Sequence, residues 1–147
     1  RMVGEIDGGI RFHDTPLMTA NVYCLHARTA SQCKEPWKLD YLNYGDFYVV
    51  FFKPEEFLSR ISRAAVDAGY EIEYAPVQYV DRRKYHGPMG TFRKFSERSV
   101  DSEFRILIRP GIGSPLSLRL GSLTDIAAMG PTAGRVKLIE PVAADQP

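Results

Sequence analysis

An α+β fold, with a mixed and mostly antiparallel sheet, one main helix and short helical turns, is what three features of this chain predict. One segment, residues 54–68, carries a strong amphipathic helical pattern. Several short runs of β-formers are joined by Gly- and Pro-bearing connections. Strands and helices do not alternate regularly, which argues against a doubly wound parallel sheet.

Residues 1–19 hold Gly4, Gly8, Gly9 and Pro16 with little periodicity and read as loop or short extended pieces. Residues 20–27 (ANVYCLHA) alternate as a strand, with Val22, Cys24 and His26 on one face and Tyr23 and Leu25 on the other. Trp37, Tyr41 and Tyr44 then fall at helix-like spacing in a polar stretch, a short helix that Gly45 would end. Residues 47–52 (FYVVFF) form a continuous apolar run and are expected to be a central strand buried on both faces. The helix over 54–68 has Pro54 in its first turn, Glu55 and Glu56 at the positive end of its dipole, and Gly69 as a stop. Its buried stripe is Phe57, Ile61, Ala64, Ala65 and Ala68, and Glu56 and Arg60 form a supporting pair.

Residues 70–80 are extended and interrupted by Pro76, a two-part or edge strand. A basic loop follows from Asp81 to Gly90, and residues 103–109 (EFRILIR) alternate again. Phe104, Ile106 and Ile108 would face the core, with Glu103, Arg105 and Arg109 on the other side. Residues 110–115 read as a turn and 116–120 as the return strand of a hairpin, with Leu116, Leu118 and Leu120 completing the core face. Ser122 or Thr124 would cap a helical turn running through Ala128, and residues 135–139 would be a last short strand.

The length of 147 residues fits one domain spanning 1–147, with 1–19 and 141–147 peripheral. The chain opens on Arg1, not Met, so the native start is expected to lie upstream. A net charge of +1 gives no global pull towards nucleic acid or an acidic membrane surface, so any basic patch must be local. No apolar run reaches the roughly 18 residues of a membrane span, and no membrane partner is expected. Cys24 and Cys33 form no CxxC, which implies a reduced, cytoplasmic protein with Cys24 as a small core residue.

Known chemistries can be tested against this inventory. His13, His26 and His86 form no HxxxH or HExxH pattern, and no metal is expected. GxSxG, Walker A and GxGxxG are all missing, and Gly111-Ile112-Gly113 lies in a turn before an extended segment. What stands out is the polar face around residue 103. The hairpin register would set Arg105 directly across from Arg119, about 5 Å apart at Cβ, beside Glu103. Two guanidiniums at that distance need an anion between them, either Glu103 or a bound ligand. Lys94, Glu97 and Asp101 crowd the approach to the same strand. The plain alternative is a solvated sheet face carrying a surface ion pair of little energetic consequence. Ahead of this strand, Arg82, Arg83, Lys84, Arg93 and Lys94 are interleaved with Tyr85, His86 and Phe92, which suits phosphate contacts plus base stacking, or a merely solvated loop.

These segments resemble a large bacterial family of unknown function, with members reported near phage-defence and mobile-element genes. The resemblance rests on Val22-Tyr23-Cys24-Leu25; on Trp37, Tyr41 and Gly45 ahead of the apolar run; on Val77-Gln78-Tyr79; on Lys94; on Asp101-Ser102-Glu103-Phe104-Arg105; and on Gly121-Ser122-Leu123-Thr124-Asp125-Ile126. It covers roughly residues 20–127 in order, departing where Asp101 stands in place of the usual Glu and where an expected aromatic ahead of it is missing. It implies a fold and a site location but no reaction. Asp101-Ser102-Glu103, an acidic-x-Glu pair at the start of a late strand, also resembles the catalytic glutamate of ADP-ribosyltransferases, although their Ser-Thr-Ser strand is missing here.

That second resemblance implies NAD as a substrate and Glu103 as the carboxylate that stabilises positive charge developing on a sugar. Arg105, Arg119 and Lys94 would hold anionic groups, with Trp37 and Tyr41 lining the site. The sequence thus sets out three expectations. One is a nucleotide-acting enzyme, ADP-ribosyltransferase-like or glycohydrolase-like, in a toxin or defence role with Glu103 as the key carboxylate. The second is a non-catalytic nucleotide- or nucleic-acid-binding domain using the 82–94 loop. The third is a protein-interaction module of a defence or toxin–antitoxin system.

Overall fold

The computed structural model describes residues 10–12, 20–29 and 45–131, the first three by their backbone. Trp37, Tyr41, Tyr44, Cys33 and the strand expected at 135–139 lie outside the described residues. Within them the fold is α+β, as the sequence predicts, with strands β1 (Ile10–Phe12), β2 (Asn21–His26), β3 (Phe47–Phe51), β4 (Glu71–Pro76), β5 (Gln78–Val80), β6 (Arg93–Phe95), β7 (Glu103–Arg109) and β8 (Ala127–Pro131). Helix α1 spans Pro54–Asp67, and a 3₁₀ helix, Ser96–Asp101, leads into β7.

The main sheet has the order β1-β2-β7-β4, antiparallel throughout, so β7 is an inner strand. Its register with β2 pairs Val22 with Leu107, Cys24 with Arg105 and His26 with Glu103. On its other side Ala75 lies across from Arg105 and Ile72 across from Ile108. Because facing residues share a side of the sheet, this register sorts β7 into two faces. Ile106 and Ile108 lie with Tyr23 and Ile72; Glu103, Arg105 and Leu107 lie with His26, Cys24 and Val22.

Helix α1 covers the first face. Pro54 opens it, and Gly69, in the left-handed conformation at φ +82°, closes it. The Gly69 and Tyr70 amides bond back to the carbonyls of Val66 and Ala65, satisfying the groups that the end of a helix leaves bare. Phe57 and Ile61 are buried against Ile106 and Ile126, and Ala65 is buried on the same stripe. Ala68, expected in that stripe, is exposed at the helix end. The Phe51 ring stacks on Phe57 with centroids 3.9 Å apart, and the Glu56–Arg60 pair forms at 2.8 Å. Arg60 reaches on to Asp125 and to the Ser122 carbonyl, tying the helix to the chain beyond residue 121.

Three expectations need correction. Residues 47–51 are not a central strand: among the described residues β3 pairs only with β8, in a separate two-stranded sheet, and Phe47 and Phe52 are exposed. Residues 116–120 are not a strand, and Arg119 does not face Arg105. The segment runs over the α1 face instead, where Leu118 and Leu120 pack on the helix core without strand pairing. The buried Asn21 side chain holds its start, donating to the Ser114 carbonyl at 3.0 Å and accepting from the Ile112 amide at 3.1 Å. The turn after Ser122 and Thr124 stops at Ile126 and gives way to β8, so no helical turn continues through Ala128. The two-part strand across Pro76 is seen as β4 and β5, with Val77 buried between them.

Candidate functional site

The second face of β7 holds the polar cluster. Arg105 can lie inside the sheet because its neighbours across the strands, Cys24 and Ala75, are small and leave room for a guanidinium. Glu103 and Arg105 are only 7% and 9% exposed, so the solvated-face reading does not hold for them. Each is satisfied. Arg105 Nε donates to Glu103 Oε1 at 2.6 Å, and its Nη1 donates to the Thr91 carbonyl. Lys94 Nζ, from β6, sits against Glu103 Oε2 and donates to Asp101 Oδ2 at 3.0 Å. Arg98 Nε approaches the same Asp101 oxygen at 3.3 Å.

The backbone carries the cluster on its outer side as well. Tyr79 Oη, from β5, accepts the Glu103 amide at 2.9 Å, and the Val77 amide donates to the Glu103 carbonyl at 2.7 Å. Ser102 takes the left-handed conformation, φ 39°, and so turns the chain sharply from the 3₁₀ helix into β7. This puts Asp101 beside His26, whose Nδ1 lies 2.8 Å from the Asp101 carbonyl oxygen. Val22 and Leu107, with Ala20, Cys24 and Phe92, form an apolar patch below the charges.

The electrostatics follow from this geometry. Burial pushes the Glu103 carboxyl upward, but hydrogen bonds from Arg105, Cys24 and Lys94 outweigh it and hold the group down at about 2, against its usual 4.5. Burial works against the charge on Lys94 too, yet its bonds to Glu103 and Asp101 prevail and raise its pKa. The Cys24 thiol is pushed up to about 11 by burial first and then by its hydrogen bond to Glu103. At neutral pH Glu103 is ionised with both oxygens bound to cations, and Cys24 is a thiol. Neither has the pKa of a general acid, a general base or a nucleophile.

Above the cluster lies a cationic surface. Arg82 is 65% exposed, reaches Glu97 at 3.4 Å and lies over the Phe95 ring at 4.2 Å. Arg83 and Lys84 are exposed, and Arg98 is 63% exposed. Residues 81–105 carry seven basic and four acidic side chains, in a chain of net charge +1. The aromatics are less available than their sequence positions suggest. Phe92 is taken into the apolar patch, and Tyr85 lies under Arg93 with its hydroxyl donated to the Pro88 carbonyl. Of the three interleaved rings only His86 is exposed.

Glu103, Arg105 and Lys94 are therefore brought together, whereas Arg119 is exposed on the segment covering the other face. Arg82 and Arg83 lie on the surface leading to the cluster, and Trp37 and Tyr41 are outside the described residues. Sequence reasoning passed over Cys24 as a functional neighbour and gave no role to Tyr79. The pairing of β2 with β7 brings Cys24 to Glu103, and the Tyr79 hydroxyl reaches the Glu103 amide from β5. An apolar cavity of about 20 Å³, room for one water, lies on the helix face among Tyr23, Ile61, Ile106 and Leu118, apart from the charged cluster. Among the described residues no group of His, Cys, Asp and Glu is arranged to hold a metal ion, and no helix is long and apolar enough to cross a membrane. No family profile, curated protein or solved structure matches this chain.

Proposed function

We propose that this chain is a binding domain for phosphate-bearing ligands, single-stranded nucleic acid in the first instance. The observation that carries this reading is the division of charges between the two layers. The inner cations, Arg105 and Lys94, are neutralised by Glu103 and Asp101, while Arg82, Arg83, Lys84 and Arg98 are exposed, Arg82 beside Glu97 and Arg98 beside Asp101. An enclosed nucleotide site is ordinarily a concave pocket, and the cavity among Tyr23, Ile61, Ile106 and Leu118 is apolar and lies on the other face of the sheet. A phosphodiester backbone needs only a track of cations. With Phe92 and Tyr85 occupied, phosphate contacts supply most of the affinity and base stacking little, so binding is expected to be largely independent of sequence. The buried pair has the structural task of holding β5, β6 and the 3₁₀ helix, which present these cations, against β7.

The test is anisotropy of a labelled single-stranded oligonucleotide over a salt series. Arg82→Ala combined with Arg83→Ala is expected to weaken binding and to flatten the salt dependence by about 0.7 in log–log slope for each phosphate no longer neutralised. Unaltered affinity and slope in that variant would overturn the reading. One observation favours the enzyme reading as a second: Glu103 is an ionised carboxylate at the start of a late strand, and on this reading a sugar displaces Lys94 from its outer oxygen to meet it. On that reading the wild-type chain, in the same assay series, releases nicotinamide from NAD. No release with oligonucleotide binding intact would leave the first reading alone.

A further inference from the structure

Asp101 is not explained by the structural task given to Glu103. Its carboxylate is 20% exposed at the side chain, and one oxygen, Oδ2, bridges two cations: Lys94 Nζ at 3.0 Å and Arg98 Nε at 3.3 Å. Two cations converging on one oxygen at the edge of solvent form the arrangement in which proteins hold a phosphate oxygen. Here the oxygen belongs to the protein.

We propose that Lys94 and Arg98 form a phosphate subsite of the cationic surface, and that in the unliganded chain the Asp101 carboxylate occupies it in place of the ligand. The proposal rests on the nucleic-acid-binding reading above and adds where one phosphate sits and what holds its place. Three features support the exchange. Lys94 is also anchored to Glu103, whose carboxylate is fixed from the other side by Arg105, so the cation keeps its position when Asp101 leaves. Arg98 is 63% exposed and can turn from a carboxylate to an incoming phosphate without moving backbone. The backbone at Asp101 and Ser102 is held in place, by His26 Nδ1 against the Asp101 carbonyl and by the Ala27 amide on the Ser102 carbonyl, so only the Asp101 carboxylate has to turn away. With Asp101 in place, Lys94, Arg98 and Arg105 face two carboxylates; without it they face Glu103 alone, and the local charge rises from +1 to +2.

The expected outcome is contrary to the usual effect of disrupting an ion pair. Asp101→Asn keeps the side-chain size and removes the competing charge, and it is expected to bind a fluorescein-labelled oligothymidylate about fivefold more tightly at low salt. That is the effect of one unit charge about 4 Å from a phosphate in water. The log–log salt slope should steepen by about 0.7 for a phosphate gained. Adding Arg98→Ala should cancel the gain. If wild type binds through Arg82 and Arg83 but Asp101→Asn binds equally or less well, the subsite is overturned while the binding reading stands. If neither wild type nor Asp101→Asn binds, both are overturned. Should circular dichroism show Asp101→Asn to be unfolded, the exposed Arg98→Ala and Arg98→Glu carry the test. Weaker binding in both, more so for Glu, supports the subsite, and affinity equal to wild type overturns it.

Discussion

Replacing Glu103 by Gln tests whether the buried cluster holds the fold together. The substitution keeps shape and one acceptor oxygen but leaves Arg105 and Lys94 without their shared carboxylate. The carboxyl titrates at about 2 in the folded chain, against 4.5 when unperturbed. That difference corresponds to about 3 kcal/mol of folding free energy, reduced to about 2 kcal/mol because Lys94 leaves one side of the cluster open to water. Breaking a fully buried pair by removing one partner costs about 3–5 kcal/mol, and the smaller figure here follows from the partial exposure of Lys94. For a chain of this size the melting temperature should fall by about 6–10 °C. The pH dependence gives a sharper criterion. The folded pKa is depressed, so the stabilisation is fully present above the unfolded value of 4.5 and is lost as pH falls towards about 2. Thermal melts of wild type and Glu103→Gln should therefore converge, with more than half of the difference gone by about pH 3. A variant melting within about 2 °C of wild type at pH 7, or a difference that stays constant down to pH 3, would refute the reasoning. Because this substitution weakens the fold, loss of any activity in it would not by itself identify a catalytic residue.

Two further outcomes follow from the same geometry. With its thiol raised from 9.0 to about 11, Cys24 should be alkylated by iodoacetamide at pH 8 about a hundredfold more slowly than in urea; comparable rates by peptide mass spectrometry would mean that it does not sit against Glu103. Asn21→Ala should cost about 1–3 kcal/mol in urea unfolding, since it strands the Ser114 carbonyl and the Ile112 amide, and a change below about 0.5 kcal/mol would show that water replaces both bonds.

How much of this was legible in the sequence depends on which interaction each residue reports. Helix α1 was readable because its signals are local: Pro54 at the start, Gly69 at the end and a buried stripe between them. The alternation of β7 was equally readable, and the two-residue spacing of Glu103 and Arg105 placed them side by side. The partners of β7 were not. Leu116, Leu118 and Leu120 alternate as a strand would, yet alternation reports which side chains are covered and not what the backbone pairs with. Here the leucines are covered by lying across the helix face. The apolar run of β3 suggested an inner strand, and the charges on one face of β7 left open a solvated sheet face. Instead β3 lies in a separate two-stranded sheet, and the charged face of β7 is buried because Glu103, Arg105 and Lys94 neutralise one another, which lowers the cost of burying them. Cys24 and Tyr79 joined the site through long-range pairing, for which neither carries a local mark.

The position of β4 has a consequence for how copies of this chain behave together. It ends the main sheet, and among the described residues no strand covers its outer edge. A bare edge is a template on which another chain can add a strand and begin to aggregate. On β4, Glu73 is paired with Arg109 of β7, Glu71 is exposed, and Pro76, which has no amide proton, closes the end of the strand. A six-residue strand that ends in proline offers a short and incomplete template for such pairing.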